Sequence, residues 1–183
     1  MEHRRQRTVI LASLFVALST ALGFLCAGIP NFELMTLTVF MAGLFCGRGF
    51  GSAVGALSIL LFSLLNPLGP APPPLLAAQI AGFMLIGAAG ALVGPRLAPA
   101  RPSSVAAAAA AGFALTFAYD ALTTAATAFV ALGASRFLEG WSGIAAAGVV
   151  FVVWHVGINA ALFAAAVIPL VRAVRAWQGE EAA

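Results

Sequence analysis

The polar and ionisable side chains that could do chemistry are few, and they lie inside otherwise apolar segments. Asp120 follows Tyr119 near the middle of one such segment. His155 and Asn159 lie in another, four residues apart, a spacing that places them on one face of a helix. An ionisable group in hydrocarbon is costly unless it is paired or hydrated. These residues therefore predict either a functional site or a buried polar contact.

Other polar candidates lie near the ends of the apolar segments, and Trp154 adds an aromatic face beside His155. Each has a structural alternative, which is an interhelical hydrogen bond for the polar residues and aromatic packing for Trp154. The sequence predicts a substrate-binding site formed by Asn31, Glu33, Asn66, Gln79, Tyr119, Asp120, Trp154, His155 and Asn159.

No motif in the sequence predicts catalysis. The chain has no HExxH, GxSxG or P-loop sequence, so we expect neither an enzyme nor an ATP-driven pump working alone, and we assign no catalytic residue, metal or cofactor. Cys26 and Cys46 lie in apolar surroundings and outside any CxxC spacing, which favours simple packing. The nine basic residues are all arginines dispersed over short loops, so no nucleic-acid partner is expected.

The composition requires a membrane environment. Of 183 residues, 62% are hydrophobic and 8% are charged, whereas roughly a quarter of residues are charged in soluble domains. The predicted fold class is an all-α integral membrane protein, a single domain over 1–183 with about six transmembrane helices. The expected spans lie near 8–28, 34–48, 50–66, 73–94, 104–132 and 143–171.

Two spans have an alternative interpretation. Only Gly47-Arg48-Gly49 separates the short second and third spans, so they could instead form a re-entrant hairpin.

The basic N-terminus resembles the start of a signal peptide. However, no A-x-A cleavage site follows its apolar run, so we interpret it as a retained first helix.

The arginines predict the orientation. With six spans, only Arg136 lies on the side opposite the other eight arginines, so the positive-inside rule places both termini in the cytoplasm. The polar candidates then lie at the midplane or in the outer half, which predicts a pocket open to the outside.

Small residues at helical spacing predict close helix packing. Gly51-x-x-x-Gly55 and the glycines at 82, 87 and 90 favour packing within the bundle. Ala17-x-x-x-Ala21 in the first helix could instead present a flat strip to another protein.

Taken together, these features resemble the substrate-binding S component of energy-coupling factor (ECF) transporters, over essentially the whole chain. The similarity rests on the Ala-rich first helix, Pro30-Asn31-Phe32-Glu33, the hairpin from Gly43 to Gly51, Asn66-Pro67, Gln79, Tyr119-Asp120 and His155-x-x-x-Asn159.

The resemblance implies a six-helix protein of the prokaryotic plasma membrane, with both termini in the cytoplasm, that binds a micronutrient near the outer face. It also implies a transmembrane coupling subunit that docks on Ala17 and Ala21, and two ATPase subunits that power uptake. The aromatic and acidic candidates suit a flat, cationic ring such as a thiamine-like compound, while a corrinoid or a nucleobase precursor stays open.

Two alternatives stay open at this point. The first is a solitary secondary transporter or facilitator that uses Asp120 and His155 as a polar or proton relay. The second is an intramembrane enzyme or an assembly factor without a ligand.

Overall fold

The described part of the chain is helical, with no strand among its residues. A computed structural model describes residues 2–29, 32–67, 69–97 and 102–177, with side chains for all of these except 95, 102 and 174–177. The helices are α1 (Glu2–Cys26), α2 (Met35–Cys46), α3 (Arg48–Leu64), α4 (Pro73–Leu97) and α5 (Pro102–Trp177). The predicted all-α class is confirmed.

Helix α5 is broken at Gly133 into two arms, 102–132 and 134–177. Gly133 has a φ of 70° and a ψ of 169°, a conformation that favours glycine. Asp120 and His155 are 35 residues apart in the chain, yet their side chains meet at 2.9 Å. In one straight helix the same two residues would be about 52 Å apart. The arms therefore pack against each other in antiparallel orientation, and they contain the predicted fifth and sixth spans.

Three described segments are long and apolar enough to cross a membrane: Glu2–Cys26, Pro73–Gly94 and Ser103–Ala173, the last of which includes both arms of α5. Helices α2 and α3, with 12 and 17 residues, are shorter than the roughly 20 residues that a full crossing needs. The count of six crossings and the cytoplasmic location of both termini stay predictions.

Helix α2 forms the centre of the bundle. Every residue from Met35 to Gly43 is buried, as expected of a short helix that is apolar on all sides. Its Phe40 ring packs edge-on against Phe163 of α5, with ring centroids 5.1 Å apart. Gly47 alone separates α2 from α3, with a φ of 86° that favours glycine.

Glycines bring α2, α3 and α4 into backbone contact. A Cβ atom added to Gly87 would collide with the carbonyl of Gly51, and one added to Gly43 would collide with the carbonyl of Gly87. Gly55 likewise faces the carbonyl of Phe83. The predicted Gly-x-x-x-Gly pattern therefore packs within the chain, and this packing fixes the helices that surround the candidate site.

Candidate functional site

A cavity of about 240 Å³ lies at the end of the bundle where α1 ends and α2 begins. Three ionisable side chains that the sequence predicts face it: Glu33, Tyr119 and His155. Its walls are otherwise largely apolar, and the larger wall residues are Phe32, Met35, Ile59, Phe62 and Phe83. An apolar cavity with a few convergent polar groups is the usual form of a small-molecule site.

Glu33 lies in the connection between α1 and α2, where its two carboxylate oxygens have different partners. Oε2 accepts a hydrogen bond of 2.9 Å from the backbone N–H of Thr36, in the first turn of α2. This contact satisfies a free amide of the helix N-terminus, where negative charge is favourable. Oε1 lies 3.6 Å from Nε2 of His155, within ion-pair range.

These contacts keep Glu33 ionised. Burial disfavours its charged form, but the polar contact with the His155 ring, the hydrogen bond from Thr36 and the attraction of the imidazole outweigh that cost. They hold the pKa of Glu33 below its ordinary value of 4.5. The cavity therefore presents a carboxylate to any ligand that enters at neutral pH.

His155 lies between the cavity and the interface of the two α5 arms. Its Nδ1 lies 2.9 Å from Oδ1 of Asp120, and its Nε2 faces Glu33 on the other side of the ring. Both Asp120 and His155 are buried. The two carboxylates therefore lie on opposite edges of one imidazole, whose orientation they fix.

Tyr119 forms an aromatic wall beside His155. The two rings lie 6.5 Å apart between centroids and nearly perpendicular, and the Phe83 ring also packs edge-on against Tyr119, at 5.3 Å between centroids. Gln79 interacts with the Tyr119 hydroxyl group. The Tyr119 ring can stack on a flat ligand, and its hydroxyl group can donate or accept a hydrogen bond.

Asn159 lies one helical turn beyond His155 and is completely buried. Its Nδ2 donates to the carbonyl of His155 at 3.2 Å. Asn159 does not line the cavity itself, and it reaches the site only through its contact with His155.

The ionisable groups of the site are mainly acidic. Two carboxyl groups flank one imidazole, which can neutralise only one of them. Among the described residues, no set of three or more His, Cys, Asp or Glu side chains is placed to hold a metal ion. The cavity therefore favours a ligand with a positive charge or several hydrogen-bond donors.

Five of the predicted residues do not line this cavity: Asp120 and Asn159 contact His155, Gln79 interacts with Tyr119, and Trp154 and Asn66 lie elsewhere. Trp154 is 59% exposed and points about 100° away from His155 around the helix, where it lines an open apolar concavity of about 710 Å³ together with residues such as Val150 and Ile158. Asn66 lies in the connection after α3, where its carbonyl accepts from the N–H of Gly69 at 2.9 Å. Asn31 lies outside the described residues.

The two alanines predicted to dock a partner lie on one exposed face of α1. Ala17 and Ala21 are both exposed, and the neighbouring Leu14, Leu18 and Leu25 are exposed as well. This face is apolar and is not covered by the described part of the chain.

Sequence reasoning did not find the apolar walls. Phe62, Phe83 and Ile59 occur in apolar helices among many similar residues, so their type gives no sign of which face they occupy. Phe32 is the exception, because it directly precedes the predicted site residue Glu33 in the sequence.

Comparisons with known proteins give no relative for this chain: no family model, no curated protein and no solved structure matches it.

Proposed function

We propose that this protein is a membrane-embedded substrate-binding subunit for the uptake of a small water-soluble vitamin or a related micronutrient. In this proposal it works with a separate ATP-driven coupling module in the plasma membrane of a prokaryote. The observation that carries the proposal is the 240 Å³ cavity, into which Glu33, Tyr119 and His155 face between aromatic walls.

The volume of the cavity favours a compact ligand. Pockets for drug-sized molecules usually measure about 300 to 1,000 Å³, so a cavity slightly below that range suits a one- or two-ring compound. A corrinoid is several times larger than such a compound. The size of the cavity therefore argues against a corrinoid and in favour of a vitamin or precursor with one or two small rings.

The charge and the aromatic walls favour a cationic heteroaromatic ring. The side chain of Glu33 is 22% exposed and carries a negative charge, so it can accept charge-assisted hydrogen bonds from ring or amino N–H groups. Tyr119 and the neighbouring phenylalanines supply π faces, which attract a positively charged ring. Thiamine and similar compounds combine these properties.

The position of the cavity fits uptake. It lies where α1 ends, and this end faces outside when the N-terminus lies in the cytoplasm. The sequence contains no nucleotide-binding motif, so ATP-driven uptake needs separate subunits. The exposed face around Ala17 and Ala21 offers a place for a coupling subunit to dock.

One observation favours the alternative of a solitary secondary transporter. The buried contact between Asp120 and His155 joins two titratable groups inside a helix hairpin, which is an arrangement that proton relays use.

Uptake of labelled thiamine in cells that lack their own thiamine transporter separates the two functions. We expect uptake only when a coupling module is co-expressed, and we expect it to survive an ionophore that collapses the proton gradient while ATP is maintained. Uptake by this chain alone that the ionophore abolishes would instead support the secondary transporter.

A further inference from the structure

A second group of polar atoms lies between the two arms of α5. It consists of Thr116, Asp120 and Asn159, which we call the inter-arm cluster. None of these three residues lines the cavity, and each has less than a tenth of its surface exposed.

The antiparallel register of the arms brings the cluster together. Asp120 contacts His155 across the hairpin, so Thr116, one turn before Asp120, lies level with Asn159, one turn after His155. The contact of Gly112 confirms this register, since a Cβ atom added there would lie 2.8 Å from the carbonyl oxygen of Asn159.

Each member of the cluster presents an unpartnered oxygen. Oδ1 of Asp120 is used by His155 and Nδ2 of Asn159 by a backbone carbonyl. No described residue forms a hydrogen bond with Oδ2 of Asp120, Oδ1 of Asn159 or Oγ1 of Thr116. Buried oxygens without partners are rare in proteins, and a bound water or ion is one of the usual reasons for them.

The charge distinguishes an ion from a water molecule. Asp120 and Glu33 share one imidazole, that of His155, which can neutralise only one carboxylate. The two ion pairs found among the described residues both use His155, so no arginine pairs with either acidic group in the described structure. A carboxylate left unneutralised in a bilayer interior is far more costly than an unsatisfied hydroxyl group.

We propose that the inter-arm cluster binds a monovalent alkali cation, Na⁺ or K⁺, through the side-chain oxygens of Thr116, Asp120 and Asn159. A single carboxylate with two neutral oxygens suits one positive charge, whereas divalent cations prefer oxygen-rich sites with more charge. The site is separate from the cavity and does not depend on the proposed vitamin ligand.

The melting temperature of the purified full-length protein in detergent tests this site without any vitamin. The protein is first exchanged into N-methyl-D-glucamine chloride, and NaCl or KCl then replaces that salt at constant ionic strength. A cation that binds only the folded state should raise the melting temperature by about 3 to 5 °C for each tenfold increase above its dissociation constant. A wild-type melting temperature that is the same in all three salts overturns the proposal and favours a bound water.

Substitutions at Thr116 locate the effect. Thr116→Val removes the oxygen with little change of shape and should abolish the cation-dependent rise, whereas Thr116→Ser keeps the oxygen and should retain it. Thr127→Val, the same change at an exposed position on the same arm, is the matched control. An undiminished rise in Thr116→Val would place the cation elsewhere and contradict the proposed ligands. If Thr116→Val does not fold, loss of the rise in a folded Asn159→Leu variant supports the site, and its persistence contradicts it.

Discussion

The Asp120 carboxylate and the His155 imidazole meet at 2.9 Å between the two arms of α5, although 35 positions separate them in the chain. The contact lies inside the bundle and links the cavity to the inter-arm cluster. Both residues are buried, so each depends on the other to offset the cost of removing it from water.

Removing one member of this pair should destabilise the protein. Asp120→Ala leaves His155 without its Nδ1 partner, and breaking a buried pair in this way costs about 3 to 5 kcal/mol. Asp120→Asn keeps an oxygen that can accept from Nδ1, so we expect a smaller loss. Unfolding of the detergent-solubilised variants measures both effects, and equal stability of Asp120→Ala and the wild type would contradict the contact.

Part of the polar arrangement was predictable from the sequence, and the apolar walls of the cavity were not. Glu33, Tyr119 and His155 stood out because polar groups are rare in apolar helices, and the structure brings them to one cavity. Trp154 is adjacent to His155 in sequence, yet successive helical residues point about 100° apart, so it lies on an exposed face. Apolar residues carry no comparable signal, because most residues of this chain are apolar.

The positions of the long helices were also predictable from the sequence. Long apolar runs located α1, α4 and the two arms of α5, because hydropathy reports length and composition. Hydropathy does not report which apolar helix lies in the centre. The central position of the short α2 follows from packing against several helices at once, through glycines such as Gly43 whose partners are distant in sequence.

The carboxylate of Glu33 should give the protein an acid-sensitive stability. Its pKa is depressed in the folded state, so its contribution is complete above the ordinary pKa of 4.5 and is lost as the pH falls through the lower folded value. We therefore expect Glu33→Gln to lower the melting temperature at pH 7, and the difference from wild type to shrink below pH 4.5. A difference that stays constant down to full acid unfolding would argue against an ionised, stabilising Glu33.

The glycine contact between α3 and α4 should not tolerate a methyl group. Gly87→Ala would push a Cβ atom into the backbone of Gly51, and overpacking of this kind typically costs about 1 to 3 kcal/mol. Gly49→Ala is the matched control, because a Cβ atom there meets nothing within 4 Å. We expect the first variant to unfold at clearly lower denaturant and the second to match the wild type. The reverse order would show that the helices pack differently.

The exposed face of α1 should be required for uptake but not for binding. Ala17→Trp or Ala21→Trp would hold a docking helix away from α1, so transport and co-purification with a coupling subunit should both be lost. Ligand affinity of the purified variants should be unchanged, because the cavity is lined by other residues. Ala110→Trp, at an exposed position on α5, is the control for a bulky surface residue. Full uptake with either α1 variant would exclude this face as a docking surface.

Calorimetric titration of thiamine into the purified protein tests the central claim that the Glu33 cavity is the ligand site. We expect saturable binding by the wild type and an affinity at least roughly tenfold weaker in Glu33→Gln, since hydrogen bonds to a charged group contribute about 1.5 to 3 kcal/mol. Trp154→Ala should bind as the wild type does, because Trp154 lies on an exposed face of its helix and does not line the cavity. No saturable binding by the folded wild type would contradict thiamine as the ligand. Saturable binding that Glu33→Gln leaves intact and Trp154→Ala abolishes would contradict the cavity as the site.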